Sequence, residues 1–282
     1  MKNPPPTLTP PTRSGIISPT TESEVNTVDF SHFCYSSDNI PEGLGFSHFS
    51  PLHLFWLGLC AALAVFCCLL YRKLEEKGRM RMRRILTALV VGDEIWKIVW
   101  LSALGLFTHS YLPFHLCSVN IFLILFFTIK PTKTVGNFLY GICIPAALAA
   151  LLFPTWTKLP FWNFMHLHSF SVHILLFVIP LMLTAGGDIK PDVRVLPKCL
   201  LLLLGLGLVA KGANFLWSTN FMFLESASEG NPLYFFEQKF GNHLIGLPVL
   251  AAAVLAVMFG PLTVWQRCRA RKQNAPIAES AS

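Results

Sequence analysis

The placement of basic residues between long apolar segments constrains this chain more than any other feature. Seven stretches are long and apolar enough to cross a bilayer, whose hydrocarbon core of ~30 Å needs roughly 20 apolar residues. Sixteen of the 22 Lys and Arg residues follow the first, third, fifth and seventh stretches, and only four lie on the opposite side. Because short loops rich in Lys and Arg stay in the cytoplasm, the sequence predicts an outer N-terminus and a cytoplasmic C-terminus. The predicted spans lie near 51–71, 86–107, 112–129, 136–153, 164–184, 195–217 and 244–265.

Composition assigns the chain to the integral membrane proteins, since 53% of its residues are hydrophobic. Only helices and closed barrels satisfy their backbone polar groups in lipid, and apolar runs without alternation exclude the barrel. We therefore expect an all-α bundle of seven transmembrane helices over 51–266, with a disordered outer tail at 1–50 and a cytoplasmic tail at 267–282. The basic excess is expected to contact anionic lipid headgroups rather than nucleic acid. The expected location is the plasma membrane of a bacterium, and the oligomeric state is left open.

The second predicted span contains three ionisable residues, Asp93, Glu94 and Lys97. Ionisable groups inside a bilayer are costly and by default mark a pathway or a site. Either carboxylate can meet the lysine on one helical face, because the separations are four and three residues. A self-neutralising cluster that only holds the helix inside the bundle is the simpler interpretation.

Three further spans carry polar residues at comparable depth. Cys117 shares a face of the third span with Phe114 and Asn120, while His115 points to another face, so any base for the thiol must come from another helix. Pro113 is expected in the first turn of that helix, where a missing N–H costs nothing. Such convergence predicts a polar cavity inside the bundle. The remaining candidates for its lining are His166, His168 and His173 in the fifth span and Lys211 and Asn214 in the sixth.

A metal site formed by His166, His168 and His173 is a more specific alternative for the fifth span. His166 and His173 are seven residues apart and share a face, whereas His168 is expected to point elsewhere. Ligand spacing is the main sequence evidence for a metal site, and these three do not share one face. We therefore predict no metal and no cofactor.

Four motifs together resemble the YwaF-like family of multipass membrane proteins, which is related to an animal transmembrane phospholipid acyltransferase. The resemblance covers about residues 50–265 and implies a cysteine–histidine enzyme that moves fatty acyl groups onto lysophospholipids. The family histidine is similar to His173. The family cysteine directly follows the proline, where this chain has Phe114, and Cys117 lies three residues later. The motifs are residues 112–118 (LPFHLCS), 149–154 (AALLFP), 168–173 (HSFSVH) and 219–224 (TNFMFL).

Three functions remain open at this point. The first is a membrane-embedded lipid acyltransferase or acyl hydrolase. In it Cys117 attacks an acyl ester of a membrane lipid, His173 accepts the thiol proton, and Asn120 or His115 donates to the oxyanion. In the second, a seven-span transporter or sensor couples to solutes or protons through Asp93, Glu94, Lys97 and the histidines. In the third, the polar residues only bind the helices together.

Overall fold

A computed structural model describes residues 31–36, 39–227 and 231–273, and this part of the chain is helical with no β-strand. Short 3₁₀ turns and loops connect the helices. The helices are α1 (Pro51–Lys73), α2 (Glu76–Ala103), α3 (Leu116–Ile129), α4 (Lys133–Phe138), α5 (Ile144–Leu152), α6 (Phe164–Gly186), α7 (Leu196–Trp217), α8 (Pro232–Phe240) and α9 (Gly246–Gln273).

Helical segments occupy all seven positions at which the sequence predicts spans. Five of them are long and apolar enough to cross a membrane by themselves: Pro51–Lys73, Lys133–Leu152, Phe164–Gly186, Val193–Trp217 and His243–Val264. The second segment, α2, has 28 residues but carries Asp93, Glu94 and Lys97 in its apolar part, and the third, α3, has only 14 residues. The seven-span topology and the orientation of the termini stay predictions.

Helix α6 is the centre of the bundle, where α1, α2, α3 and α5 all pack against it. Its inner side chains are fully buried, among them Phe170, Ile179 and Leu183. By contrast, α7 and α9 expose most of their apolar side chains, as helices that face lipid do. Side chains projecting from α6 can therefore meet residues of several other helices, which is what an internal site requires.

Helices α4 and α5 are joined by one π-helical stretch, Leu139–Cys143, into a single rod. Pro145, at the start of α5, has no N–H to donate to the preceding turn, which accounts for the wider register before it. Gly141 lies in this stretch, and a Cβ placed there would be 2.6 Å from the Phe259 ring of α9. The glycine thus lets α9 pack closely against the rod.

The start of α3 differs from the prediction. The helix begins at Leu116 rather than near 112, with His115 as an extended N-cap residue. Pro113 therefore precedes the helix instead of lying in its first turn, and Leu112 before it is extended, as residues before proline usually are. Cys117 consequently lies in the first turn of α3, and the expected alignment of Phe114 with Cys117 on one helical face is wrong.

The outer segment before α1 packs against the bundle where the sequence predicts a disordered tail. The Asn163 amide donates to the carbonyls of His32 and Tyr35, and the Phe164 N–H donates to the carbonyl of Phe33. Farther along, the Phe46 N–H donates to Thr157 at 2.8 Å. Residues 31–36 and 39–50 are thus part of the fold, while residues 1–30 and 274–282 lie outside the described residues. The predicted boundary at residue 50 is too late.

Candidate functional site

The second predicted span contributes a buried ion pair at the centre of the bundle. Lys97 Nζ donates to Glu94 Oε1 at 2.7 Å, and the two residues are only 6% and 3% exposed. The Ser118 hydroxyl of α3 donates to the same carboxylate oxygen at 2.9 Å. Glu94 therefore bonds side chains of both α2 and α3. Of the two pairings that the spacing allows, Lys97 forms the one with Glu94, three residues before it.

Asp93 faces α6 instead and binds two of its side chains. His168 Nδ1 donates to Asp93 Oδ1 at 3.0 Å, and the Ser171 hydroxyl donates to Asp93 Oδ2 at 2.5 Å. His168 Nε2 lies 3.8 Å from Glu94 Oε2, so the imidazole stands between two carboxylates. His168 is predicted to point away from the face of His166 and His173, and it contacts α2, whereas those two histidines have other partners. Lys97 and His168 are the groups positioned to pair with the two carboxylates.

Cys117 lies beside this cluster at the N-terminal end of α3. Lys97 and Glu94 both act electrostatically on its thiol, with opposite effects on a negative sulfur. The first-turn N–H groups of a helix have no partner within the helix and carry the positive end of its dipole. The helix N-terminus and Lys97 therefore favour a negative sulfur, whereas burial and the Glu94 carboxylate oppose one.

His173, one turn below Ser169 on α6, is held in a single orientation. Its Nδ1 lies 2.7 Å from the Ser169 carbonyl, which can only accept, so Nδ1 carries the proton. The ring stacks on Trp156 with centroids 5.1 Å apart. Nε2 is then the unprotonated nitrogen of the neutral ring, and within the described chain it makes no hydrogen bond. His168 and Glu94 act electrostatically on the same ring.

Cys143 of the π-helical stretch links the surroundings of Cys117 and His173. Its thiol donates to the Leu176 carbonyl, one turn below His173, at 3.4 Å, and it is close enough to interact electrostatically with Cys117. No hydrogen bond joins Cys117 directly to His173. Glu94 acts electrostatically on both side chains. The pairing of Cys117 with His173 stays a prediction.

His115 and Asn120 complete the α3 side of this region. His115 lies close enough to Lys97 and Glu94 for an electrostatic interaction, and its ring packs edge-on against Phe221. Asn120 is 1% exposed, and its Oδ1 has no hydrogen-bond partner among the described residues. An amide buried without a partner is unusual in a folded protein and leaves Asn120 available to a bound molecule.

Three predicted lining residues lie elsewhere and serve the fold. His166 is bound between the Trp56 indole and the Leu159 carbonyl, outside the charged cluster. Asn214 holds the loop after α7 by accepting from the Phe221 N–H. Lys211 is exposed and bonds Glu225, and this hydrogen bond holds the pKa of the Glu225 carboxyl below its usual range.

No group of three His, Cys, Asp or Glu side chains in the described ranges could hold a metal ion. The three histidines of α6 have separate partners: an indole, a carboxylate and a backbone carbonyl.

Several residues of the site carry no signal in the sequence alone. Nothing in the sequence distinguishes Ser118 and Ser171 from other serines. They reach carboxylates only because α2 packs against α3 and α6. Phe114 packs against the rings of Trp217 and Phe221. Its role here is therefore hydrophobic packing.

Comparison with known proteins identifies one family. The model of the TMEM164 family matches residues 48–259, about three quarters of the chain. The match begins just before α1 and ends within α9, so it includes every residue of the polar region. No curated protein and no solved structure shows a significant match.

Proposed function

The chain belongs to the TMEM164 family of multipass membrane proteins, and we propose that it is a membrane-embedded phospholipid acyltransferase. The Cys117 thiol is the nucleophile and the His173 imidazole is the general base. The observation that carries the proposal is the position of Cys117, in the first turn of α3 beside the Glu94–Lys97 pair. A thiol reacts as the thiolate, and a helix N-terminus with a nearby cation is the usual means of stabilising one.

The orientation of His173 supports its role as the base. Because Nδ1 donates to the Ser169 carbonyl, the lone pair of the neutral ring is on Nε2. Stacking on Trp156 restricts rotation of the ring about its attachment to α6. Small movements of the substrate-free site are sufficient to complete the pair, since catalytic hydrogen bonds are often long without substrate.

The proposed reaction has two halves that mirror each other. Nε2 of His173 takes the Cys117 proton, the sulfur attacks the acyl carbonyl carbon of a phospholipid, and the ester C–O bond breaks. The leaving lysophospholipid oxygen receives the proton, and a thioester remains on Cys117. In the second half the hydroxyl of another lysophospholipid gives its proton to Nε2 and attacks the thioester. The C–S bond breaks, and the leaving Cys117 thiolate takes the proton back from Nε2. No cofactor is required.

The oxyanion of each tetrahedral intermediate needs donors in a site without water. Asn120 lies three residues after Cys117 on α3, and its Nδ2 group can donate two hydrogen bonds. The N–H groups of the first turn and the Lys97 ammonium are the other available donors. We assign Asn120 to this role because its Nδ2 group is a neutral donor on the same helix as Cys117; its unpartnered Oδ1 can only accept.

The resemblance of residues 112–118 and 168–173 to the YwaF-like family and its animal acyltransferase relatives supports the same reaction. Its bacterial-type branch supports the plasma membrane of a bacterium as the location. The substrate is then an acyl lipid of that membrane.

Acyl transfer from a phospholipid to a fluorescent lysophospholipid, in liposomes containing the purified protein, tests the proposal. We expect Cys117→Ala to abolish transfer and His173→Ala to reduce it about 10²-fold or more, the usual contribution of a general base. The matched control is Cys60→Ala, because Cys60 is a buried cysteine of a different helix, α1. It should retain nearly full activity.

A second measurement detects the intermediate itself. Intact-mass analysis after incubation with phospholipid should show one acyl group that hydroxylamine removes and that Cys117→Ala lacks. Full transfer by Cys117→Ala, or no transfer by the wild-type protein with any phospholipid, contradicts the proposal.

The hydrogen-bonded carboxylates favour one other function, a seven-span transporter or sensor. Asp93, His168 and Glu94 form a cluster of proton-binding groups inside the bundle. Such groups occur in proton relays of membrane pumps. Proton uptake into liposomes that depends on His168, without acyl transfer, would identify this alternative.

A further inference from the structure

A second polar site lies at the basic end of the bundle, away from the acyl-transfer residues. A cavity of about 410 Å³ opens between the end of α1, the start of α2 and the loop after α6. Pockets for small ligands commonly measure about 300 to 1,000 Å³. Its lining residues are Tyr71, Leu74, Glu76, Arg79, Met80, Arg83 and Asp188.

Arg83 is the unusual member of this lining. It is only 6% exposed, yet no carboxylate is within hydrogen-bond distance of its guanidinium. Nη1 lies 3.7 Å from Asp188 Oδ2, Nη2 contacts the Met80 sulfur, and Nε has no partner among the described residues. A buried guanidinium normally uses its five donors on acceptors, because an unpaired buried charge is costly. Most of the hydrogen-bonding capacity of Arg83 is therefore unused.

Tyr71, Asp188 and Arg79 are already committed to the fold, whereas Glu76 is exposed to solvent. The Tyr71 hydroxyl donates to Asp188, which explains why this carboxylate does not close on Arg83. Arg79 donates to the carbonyls of Arg72, Leu74 and Gly186 and so fastens the ends of α1 and α6 together. The charge of Arg79 remains beside the cavity although its donors are occupied.

The surroundings indicate what would satisfy Arg83. Residues 72–84 contain seven Lys and Arg against two Glu, which makes this end strongly positive. Apolar side chains beside the cavity are exposed on both helices: Leu69 and Leu70 on α1 and Ile85 on α2. A ligand that combines an anionic group with acyl chains fits both features.

We propose that this cavity binds the phosphate group of an anionic phospholipid, with Arg83 as its principal donor. A phosphate offers several oxygens to a planar guanidinium, which is the geometry that favours arginine over lysine. Basic pockets between transmembrane helices commonly bind lipid headgroups in this manner. The site is separate from the reaction centre, because Arg83 and Lys97 are about 21 Å apart along α2 at 1.5 Å per residue. It does not depend on the acyl-transfer proposal.

Thermal unfolding of the full chain in a neutral detergent, followed during titration with phosphatidylglycerol, tests the site. We expect phosphatidylglycerol to raise the Tm at lower concentrations than phosphatidylcholine does. Arg83→Gln should weaken the apparent affinity for phosphatidylglycerol about tenfold, the effect of losing a charge-assisted hydrogen bond. The matched control is Arg84→Gln, which removes the same charge from the adjacent but exposed position. Its affinity should stay within about twofold of the wild-type value.

Equal loss in Arg83→Gln and Arg84→Gln overturns the proposal, since the lipid would then respond only to overall charge. A separate titration with sn-glycerol 3-phosphate identifies the source of the phosphate. If only this soluble ester stabilises the protein, and Arg83→Gln loses that effect, then the cavity binds a phosphate group that does not belong to a lipid. If Arg83→Gln does not fold, the same lipid titration of Asp188→Asn tests the proposal instead. Removing the competing carboxylate should raise the affinity for phosphatidylglycerol, and an unchanged or lowered affinity overturns the proposal.

Discussion

Lys97 and Lys211 are the two lysines that the sequence places inside apolar segments, and the structure gives them opposite surroundings. Lys97 is 6% exposed and bonds a buried Glu94, whereas Lys211 has a 55% exposed side chain and bonds an exposed Glu225. Both form ion pairs of nearly equal length. The difference in burial decides what each pair contributes, because removing one partner of a buried pair leaves an uncompensated charge.

We expect Lys97→Met to lower the free energy of unfolding by about 3–5 kcal/mol, since it leaves the Glu94 carboxylate buried without its cation. Lys211→Met is the matched control and should cost at most about 1 kcal/mol, as exposed pairs do. Thermal unfolding of both variants in the same detergent gives the comparison. Adding Glu94→Gln to Lys97→Met should recover part of the loss. Equal stability of Lys97→Met and the wild-type protein would show that the cluster does not depend on the lysine.

At the scale of single residues, the sequence identifies the titratable members of the site better than their partners. Asp93, Glu94 and Lys97 stand out because charges are rare in apolar segments. The spacing of Lys97 from both carboxylates left the pairing open, and only the crossing of α2 with α6 assigns Asp93 to His168. Asn214 and Lys211 share the same kind of spacing but bind a loop. Helical periodicity indicates which residues share a face and does not indicate which helix that face meets.

At the scale of the helices, hydropathy locates the apolar segments well and their ends poorly. Helix α2 begins at Glu76, ten residues before the predicted span, because Lys, Arg and Glu are good helix formers outside lipid. Helix α8 lies in a loop without a predicted helix and is too short to give a span signal. The π-helical stretch is equally invisible, since its cause is one proline in a long apolar run.

The packing of α9 on the α4–α5 rod depends on Gly141, so Gly141→Ala should push α9 away from the rod and lower the stability of the protein. The added Cβ would stand 2.6 Å from a Phe259 ring that is itself 3% exposed and has little room to move. Such overpacking costs about 1–3 kcal/mol. Gly260→Ala, on α9 with open space around its Cβ, is the control and should be neutral or slightly stabilising. Thermal unfolding measures both.

Relief of the same contact provides a second check on that interface. The double variant Gly141→Ala/Phe259→Leu replaces the ring by a smaller side chain and so makes room for the added Cβ. It should restore part of the lost stability, because substitutions of residues in contact are not additive. Independent, additive effects of the two substitutions would mean that α9 does not rest on Gly141.

At the scale of the whole molecule, the sequence predicts the class and the general order of the bundle, and the structure adds its centre. The alternating basic loops give an orientation without indicating that α6 lies in the middle. That position follows from packing, because α1, α2, α3 and α5 all pack against α6. The contacts of residues 31–36 and 39–50 are also invisible in the sequence, since several of them are to backbone groups of loops.

Orientation in the membrane is the remaining prediction at this scale. The loops after α1 and α6 contain Arg79 and Lys190 and should face the cytoplasm, whereas the loop before α6, with Lys158, and α8, with Lys239, should face outside. Paired reporters, one active only in the cytoplasm and one only outside it, fused after residues 80, 158, 190 and 235 give the side of each loop. We expect cytoplasmic signals at 80 and 190 and outer signals at 158 and 235.

The segment on which this arrangement depends most is α3, whose 14 residues span only about 21 Å at 1.5 Å per residue, less than the hydrocarbon core. If α3 does not cross, the loops after it change sides relative to α1, and the reporter at 158 gives a cytoplasmic signal together with the one at 80. That result would refute the seven-span arrangement.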